Sequence, residues 1–238
     1  MQRTVVWSMF GGAVALLCGF DINETPSPVE SCEIARGARL YDSWYGEKGV
    51  DAPARRHPAY PASGGYANKV ASTWRCKECH GWDYLGRSGA YRAGSHFTGI
   101  KGTLAAADKS AVELEAILRN KAHRYDRVLD ATDMKQLVLF LQKGQMDMDQ
   151  VIDRDSRASR GKALAGAPLY QNLCATCHGM TGREKVDMPK MGALARKNPW
   201  ETLHKTLYGH PGSDMPAYRD VGLNAALDIL AYLQTLPE

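Results

Sequence analysis

Two five-residue segments constrain this chain more than any other feature of its sequence. They are residues 76–80 (CKECH) and residues 174–178 (CATCH), and each follows the pattern C-x-x-C-H. Cysteines at this spacing lie on one turn of helix, so both thiols can bond to the vinyl groups of one porphyrin, and the adjacent histidine reaches the iron. The pattern therefore predicts two covalently attached haem c groups. The predicted residues are Cys76, Cys79 and His80 for the first haem and Cys174, Cys177 and His178 for the second.

Other uses of a C-x-x-C pair fit this chain less well. The pairs of a structural zinc site are usually about 12–20 residues apart, whereas these pairs are much further apart and each has its own histidine. A thioredoxin-like redox pair would be single and would lie at a βαβ unit. The two cysteines outside the motifs, Cys18 and Cys32, stand alone and make no disulfide framework. Zinc or a disulfide remains the alternative to haem.

Composition and charge exclude some partners. The 238 residues allow one or two domains, and the formal net charge is only +4. No basic run is interleaved with aromatic residues, so we expect no nucleic-acid partner.

The N-terminal segment predicts export of the chain. Residues 5–20 are uncharged and mostly apolar, but they fall short of the roughly 20 residues that span a bilayer comfortably. A cleaved signal peptide, an uncleaved membrane anchor and lipidation at Cys18 all remain open. Each of these alternatives places the mature chain in the periplasm, either soluble or tethered to the inner membrane.

Three landmarks occur twice in the same order, which predicts a tandem duplication. Residues 37–41 (GARLY) match residues 166–170 (GAPLY), and each copy then has its C-x-x-C-H motif. Residues 139–142 (LFLQ) correspond to residues 231–234 (AYLQ) near the end of each copy. We therefore expect an all-α protein of two similar units.

The duplication sets the expected domain boundaries. Residues 1–32 form the N-terminal segment and a polar spacer, and residues 33–143 form the first domain, with an insert at 46–75. Residues 144–161 are rich in charge and predict a solvated linker. Residues 162–238 form the second domain.

Apolar periodicity predicts the helices of both units. The predicted helices cover residues 34–44, 110–120, 132–142, 198–208 and 223–236. Ser110 with Glu113 predicts a capping box, and Gly144 predicts the end of a helix. Residues 180–197 are predicted to be loop.

In the second unit, Met215 precedes a proline in a loop ahead of the last helix, where its thioether is a candidate axial ligand. The stretch from Tyr170 through C-x-x-C-H to Met215-Pro216 and the closing helix resembles the class I cytochrome c domain. The pair of units, residues 33–238, resembles the two-domain dihaem cytochromes c of bacterial periplasms. This resemblance implies two small helical haem domains and assigns His178 and Met215 as the axial ligands of the second haem.

The first unit departs from that pattern because it has no equivalent methionine. Aligning the closing helices on Leu141 and Leu233 places His123 opposite Met215. His123 is therefore the candidate sixth ligand of the first haem, which would be bis-histidine. The other candidates are His96, Met134, Met146 and Met148.

Several other residues remain open to two interpretations. Three aromatic residues of the insert are either covers for a haem edge or loop anchors: Tyr60, Tyr66 and Trp74. Three histidines are expected at the surface, or as partners of the backbone or a propionate: His57, His204 and His210.

These features favour electron transfer over catalysis. Because methionine ligation raises a haem potential relative to two histidines, we expect electrons to enter at the first haem and leave from the second, towards redox protein partners. A peroxidase-like enzyme or a gas sensor would need an open sixth position. A thiosulfate-oxidising enzyme would need a cysteine ligand, yet Cys32 precedes both motifs. A further possibility is a subunit of a membrane respiratory complex.

Overall fold

The protein is built from helices joined by long loops. A computed structural model describes residues 26–238, and within them it contains no β-strand, which confirms the expected all-α class. In chain order the α-helices of this part are α1 (Pro28–Lys48), α2 (Cys76–His80), α3 (Ala111–Arg119), α4 (Ala131–Lys143), α5 (Ala163–Leu173), α6 (Ala175–His178), α7 (Met191–Lys197), α8 (Pro199–Tyr208) and α9 (Leu223–Leu233).

Capping residues fix where α3 and α4 begin. The Ser110 side chain accepts a hydrogen bond from the backbone N–H of Glu113, whose carboxylate accepts from the backbone N–H of Ser110. Asp130 and Asp133 form the same reciprocal pair at α4. These bonds satisfy N–H groups that have no partner within a helix. The predicted capping box of α3 is therefore confirmed, as is the end of α4 at Gly144.

Two helix predictions were incomplete. Residues 191–197, predicted to be loop, form α7, with Met191 and Ala195 buried on one face. A helix of two turns offers too few positions for apolar periodicity to show. The opening helix α1 is also longer than predicted, because Ser27 caps it ahead of Pro28.

Two pairs of crossing helices organise the fold. α1 packs against α4, and α5 packs against α9. At each crossing a glycine faces the backbone of the partner helix: Gly37 lies against the carbonyl of Gln136, and Gly166 against that of Asp228. A β-carbon at either glycine would overlap that carbonyl, so each close crossing depends on the missing side chain. The two pairs lie at corresponding places in the two copies of the repeat.

The two halves of the chain share one buried core. α8, from the second half, packs against α1, from the first. The His204 ring donates from Nε2 to the carbonyl of Ala38 at 3.2 Å, and the Tyr208 hydroxyl donates to the carbonyl of Gly144. The predicted division of the chain into domains stays a prediction.

The segment 144–161 is less solvated than its charge predicts. Met148 and Ile152 are both fully buried. They lie four positions apart around a short 3-10 turn, so both can face the core. Arg154 anchors the same segment by an ion pair with the buried Asp83 at 2.9 Å. The prediction of solvated surface is therefore wrong for this part of the segment.

None of the helices in residues 26–238 is both long enough and apolar enough to cross a membrane. The N-terminal segment, with residues 5–20 and Cys18, lies outside the described residues.

Candidate functional site

The first motif forms the single turn of α2. Cys76 is buried and Cys79 is half-buried, and no disulfide joins cysteines in the described part of the chain. Burial raises the pKa of Cys76 to about 11 and that of Cys79 to about 12. Both are therefore free thiols one helical turn apart, which is the arrangement that thioether attachment needs.

The His80 ring is held in one tautomer. Its Nδ1 lies 2.7 Å from the carbonyl oxygen of Lys101. Because a carbonyl can only accept, Nδ1 carries the proton and Nε2 keeps its lone pair for a metal ion. Burial lowers the pKa of His80 to about 4, so the ring is neutral at physiological pH. Such a bond from the second nitrogen is typical of a metal-ligating histidine.

His123 lies opposite His80. The two ring centroids are 6.3 Å apart and the ring planes differ by 17°. Two imidazoles that share one metal ion at about 2 Å from each nitrogen would have centroids about 6.4 Å apart. Burial lowers the pKa of His123, which keeps its ring neutral as well. The centroid distance therefore matches that of two imidazoles bound to one haem iron.

Both ring nitrogens of the rival ligand His96 already have hydrogen-bond partners. Its Nδ1 lies 2.6 Å from the buried carboxylate of Glu78, and its Nε2 lies 3.1 Å from the hydroxyl of Tyr66. The ring is also stacked between Tyr66 and Tyr91, at centroid distances of 4.4 and 4.5 Å. This environment holds His96 as part of the loop around the first motif.

The rival methionines pack into the core that the two halves of the chain share. Met134 and Met148 are fully buried, and Met146 is half-buried against the same core. Of the five candidates for the sixth position, His123 has its ring 6.3 Å from that of His80, centroid to centroid, and nearly parallel to it.

The second motif is more exposed than the first. Cys174 ends α5 and is half-buried, whereas Cys177 on α6 is exposed. Burial raises the pKa of Cys174 to about 11. His178 is half-buried, and burial lowers its pKa. Its Nδ1 has no hydrogen-bond partner among the described residues, unlike that of His80.

Met215 lies in the loop that follows α8. The loop leaves the helix at Gly209, whose φ of +81° and contact with the carbonyl of Met215 both favour glycine. The hydroxyl of Tyr218 donates to the carbonyl of Leu173 at 2.7 Å, which ties the loop to the residue before Cys174. The loop is thus fixed beside the second motif. Met215 as a ligand stays a prediction.

The same tyrosine contact occurs at both motifs. The hydroxyl of Tyr41 on α1 donates to the carbonyl of Gly81, at 2.7 Å, and that of Tyr170 on α5 donates to the carbonyl of Gly179, at 2.6 Å. Each glycine directly follows a motif histidine. The sequence repeat marked both tyrosines as landmarks, but their role as anchors of the motifs was missed.

The aromatic residues of the insert anchor its loop. Tyr60 and Trp74 are buried. The Trp74 indole donates to the carbonyl of Arg55 at 2.7 Å, and the Trp74 carbonyl accepts from the indole of Trp44 at 3.1 Å. These bonds favour the loop-anchor interpretation over that of haem covers.

Two of the three remaining histidines are buried. His57 is 4% exposed and His204 is 0% exposed, so the surface alternative is wrong for both. Each donates from Nε2 to a backbone carbonyl, His57 to that of His123 and His204 to that of Ala38. The backbone alternative is right for them because each fills a junction between two packed segments. His210 is exposed.

The described residues were also compared with the requirements of a metal-ion cluster. In residues 26–238 no three His, Cys, Asp or Glu side chains converge as a metal-ion site requires. Each motif instead presents two thiols and one histidine on a single turn, which suits one porphyrin.

A comparison with protein families supports a haem protein. Residues 161–233 match the family described as cytochrome C oxidase, cbb3-type, subunit III. The match spans the second motif, Met215 and α9, and it leaves the first motif outside. No curated protein and no solved structure matches the chain significantly. The second half of the chain is therefore similar to a cytochrome c domain, which supports covalently bound haem c and a haem-based role in electron transfer.

Proposed function

We propose that this protein is an exported dihaem c-type cytochrome that passes single electrons between redox partners. The observation that carries the dihaem proposal is the opposed pair His80 and His123, in the half of the chain that the family match leaves out. The matched half supports haem-based electron transfer, and the ring pair extends it to a second iron.

When bound, each haem supplies a one-electron redox centre. Cys76 and Cys79 would attach the first haem, and His80 and His123 would ligate its iron. Cys174 and Cys177 would attach the second haem, and His178 and Met215 would ligate its iron.

Two differences between the sites support a lower potential at the first haem. Methionine raises a haem potential relative to histidine. In addition, the bond from His80 Nδ1 to the Lys101 carbonyl makes that ring a stronger donor, whereas His178 Nδ1 has no partner in the described chain. Both differences favour the oxidised state of the first haem. With that order of potentials, electrons would enter at the first haem and leave from the second.

The closed first site also distinguishes a carrier from an enzyme. A peroxidase-like enzyme or a gas sensor needs an axial position that opens to its substrate, and under this proposal His123 would fill that position. A thiosulfate-oxidising enzyme needs a cysteine ligand. Cys32 lies exposed on α1, far along the chain from either motif. These observations favour electron transfer.

The partners belong to the same proposal. Cytochrome c domains are typically exported, and the N-terminal segment is consistent with delivery to the periplasm. The matched family is named for a subunit of a cbb3-type oxidase, so we include a membrane-bound terminal oxidase among the candidate redox partners.

A redox titration of the holoprotein tests this function. We expect two one-electron waves in the visible spectrum, the lower of which belongs to the first haem. The variant His123→Ala should displace the lower wave and leave the upper one in place. The matched control His96→Gln should leave both waves in place, because His96 is not a ligand. One wave only, or a lower wave that His123→Ala does not move, would contradict the proposal.

A further inference from the structure

We propose that His57 is a positioning residue that holds His123 at the first haem iron. This inference rests on the proposed bis-histidine ligation. His57 lies in the insert 46–75, is 4% exposed, and donates from Nε2 to the backbone carbonyl of His123 at 3.0 Å. The contact joins the insert directly to the ligand residue across 66 positions of the chain.

Both nitrogens of the His57 ring are in use. Since the His123 carbonyl can only accept, Nε2 carries the proton, and Nδ1 accepts from the backbone N–H of Ala59 at 3.2 Å. The ring is therefore neutral and fixed in one tautomer. It acts as a donor of fixed direction towards the carbonyl of His123.

His57 is itself rigidly held next to the first motif. Its backbone N–H donates to the Thr73 hydroxyl at 3.0 Å, and that hydroxyl donates to the carbonyl of Val70 at 2.6 Å. Its ring meets the ring of Trp74 edge-on at 4.5 Å. Trp74 lies two positions before Cys76, so the contacts run from the start of the haem-binding motif through His57 to His123.

His123 is held through its backbone more than through its ring. It lies in a turn after α3, where the Asn120 side chain accepts from its backbone N–H at 3.0 Å. The next residue, Arg124, has a φ of +57°, which is unfavourable for a side-chain-bearing residue. Ligating histidines usually donate from their second nitrogen to a fixed acceptor, but Nδ1 of His123 makes no well-aligned hydrogen bond in the described chain, although the backbone of Ile117 lies near the ring. The hydrogen bond from His57 to the carbonyl of His123 instead fixes the position of this residue.

The test measures how readily His123 leaves the iron. Carbon monoxide binds reduced haem only when the sixth position opens, so its association rate at the first haem reports the lability of His123. In the holoprotein, His57→Phe keeps a ring against Trp74 but removes the donor. His57→Gln keeps an amide donor of similar reach and is the matched control.

We expect His57→Phe to bind carbon monoxide at the first haem about tenfold faster than the native protein, because a buried carbonyl loses its hydrogen bond. His57→Gln should restore a rate within about threefold of the native one. An unchanged rate in His57→Phe would overturn the positioning role, as would an equal increase in both variants.

A second pair of variants separates this inference from the proposed function. His123→Ala sets the rate of a fully open site. If that variant binds carbon monoxide rapidly and His57→Phe does not, the ligation stands and the role of His57 fails. If His123→Ala binds no faster than the native protein, the ligation fails as well.

Should His57→Phe not fold, Thr73→Val takes its place. This variant removes the hydroxyl that accepts from the His57 backbone, and it should raise the carbon monoxide rate in the same direction by a smaller factor. No increase in Thr73→Val would also overturn the proposal.

Discussion

The hydroxyl of Tyr41 donates a hydrogen bond to the carbonyl oxygen of Gly81, one residue beyond the first motif histidine. Both residues are buried, and Gly81 has a φ of +83° that turns the chain away from the end of α2. Tyr170 and Gly179 repeat the relationship at the second motif, with a φ of +73° at the glycine. The opening helix of each unit thus fixes the orientation of the turn that carries its cysteines and histidine.

Removing either tyrosine hydroxyl should destabilise the protein. Tyr41→Phe and Tyr170→Phe each leave a buried carbonyl unpaired, which costs about 1–3 kcal/mol. The free energy of unfolding from urea titrations would measure this loss. Tyr232→Phe, at a half-buried position on α9, serves as the control and should cost much less. Equal losses in all three variants would show that the contact with the glycine carbonyl is not the cause.

The glycines at the two helix crossings should not accept a side chain. A β-carbon at Gly37 or Gly166 overlaps the backbone of the opposite helix, so Gly37→Ala and Gly166→Ala should each cost about 1–3 kcal/mol or more. Gly49→Asn is the control, because Gly49 has nothing within 4 Å and asparagine tolerates its left-handed backbone. Thermal unfolding of the holoprotein would compare them. Alanine variants as stable as the control would show that the helices can separate at no cost.

His204 should make the stability depend on pH in mildly acidic solution. Burial lowers the pKa of His204 from 6.5 to about 4. Between these two pH values the unfolded chain binds a proton at this histidine and the folded chain does not. The contribution of the neutral His204 ring to the free energy of unfolding is thus fully present above pH 6.5 and is lost as the pH falls towards 4. Unfolding free energies measured across this range should fall by up to about 1.4 kcal/mol per pH unit from this group.

The variant His204→Phe isolates that contribution. It should be less stable at neutral pH, because the Tyr84 hydroxyl and the Ala38 carbonyl lose their partner. Its stability should fall less steeply with acid than that of the native protein. An identical slope in the two proteins would show that His204 is not the group that titrates.

Exchanging the sixth ligand should shift one potential alone. His123→Met offers a thioether where the first haem has an imidazole, so its potential should rise towards that of the second haem. A spectroelectrochemical titration would show the lower wave moving upwards and the upper wave standing still. Movement of the upper wave, or of neither, would contradict the assignment of His123.

The residues that the sequence identified best are those that local spacing defines. The capping box of Ser110 and Glu113 follows from a short-range pattern and is confirmed. His123 as a ligand follows from internal repetition and stays a prediction. The sequence favoured His123 over His96 only through the alignment of the closing helices. It could not show that Glu78 and Tyr66 occupy both nitrogens of His96, because those contacts exist only in the folded chain.

Two other features depend on long-range packing and so could not be predicted from the sequence. Nothing in the residues around His57 indicates that its partner is a carbonyl 66 positions away. The burial of Met148 and Ile152 in a strongly charged segment likewise depends on which surfaces meet when the two helix pairs pack together.

The most direct test of the account is an experimental structure of the oxidised holoprotein around the first iron. The account predicts haem bonded to Cys76 and Cys79, with His80 on one face of the iron and Nε2 of His123 on the other. A water molecule, His96 or a methionine opposite His80, or the absence of haem from this motif, would contradict it.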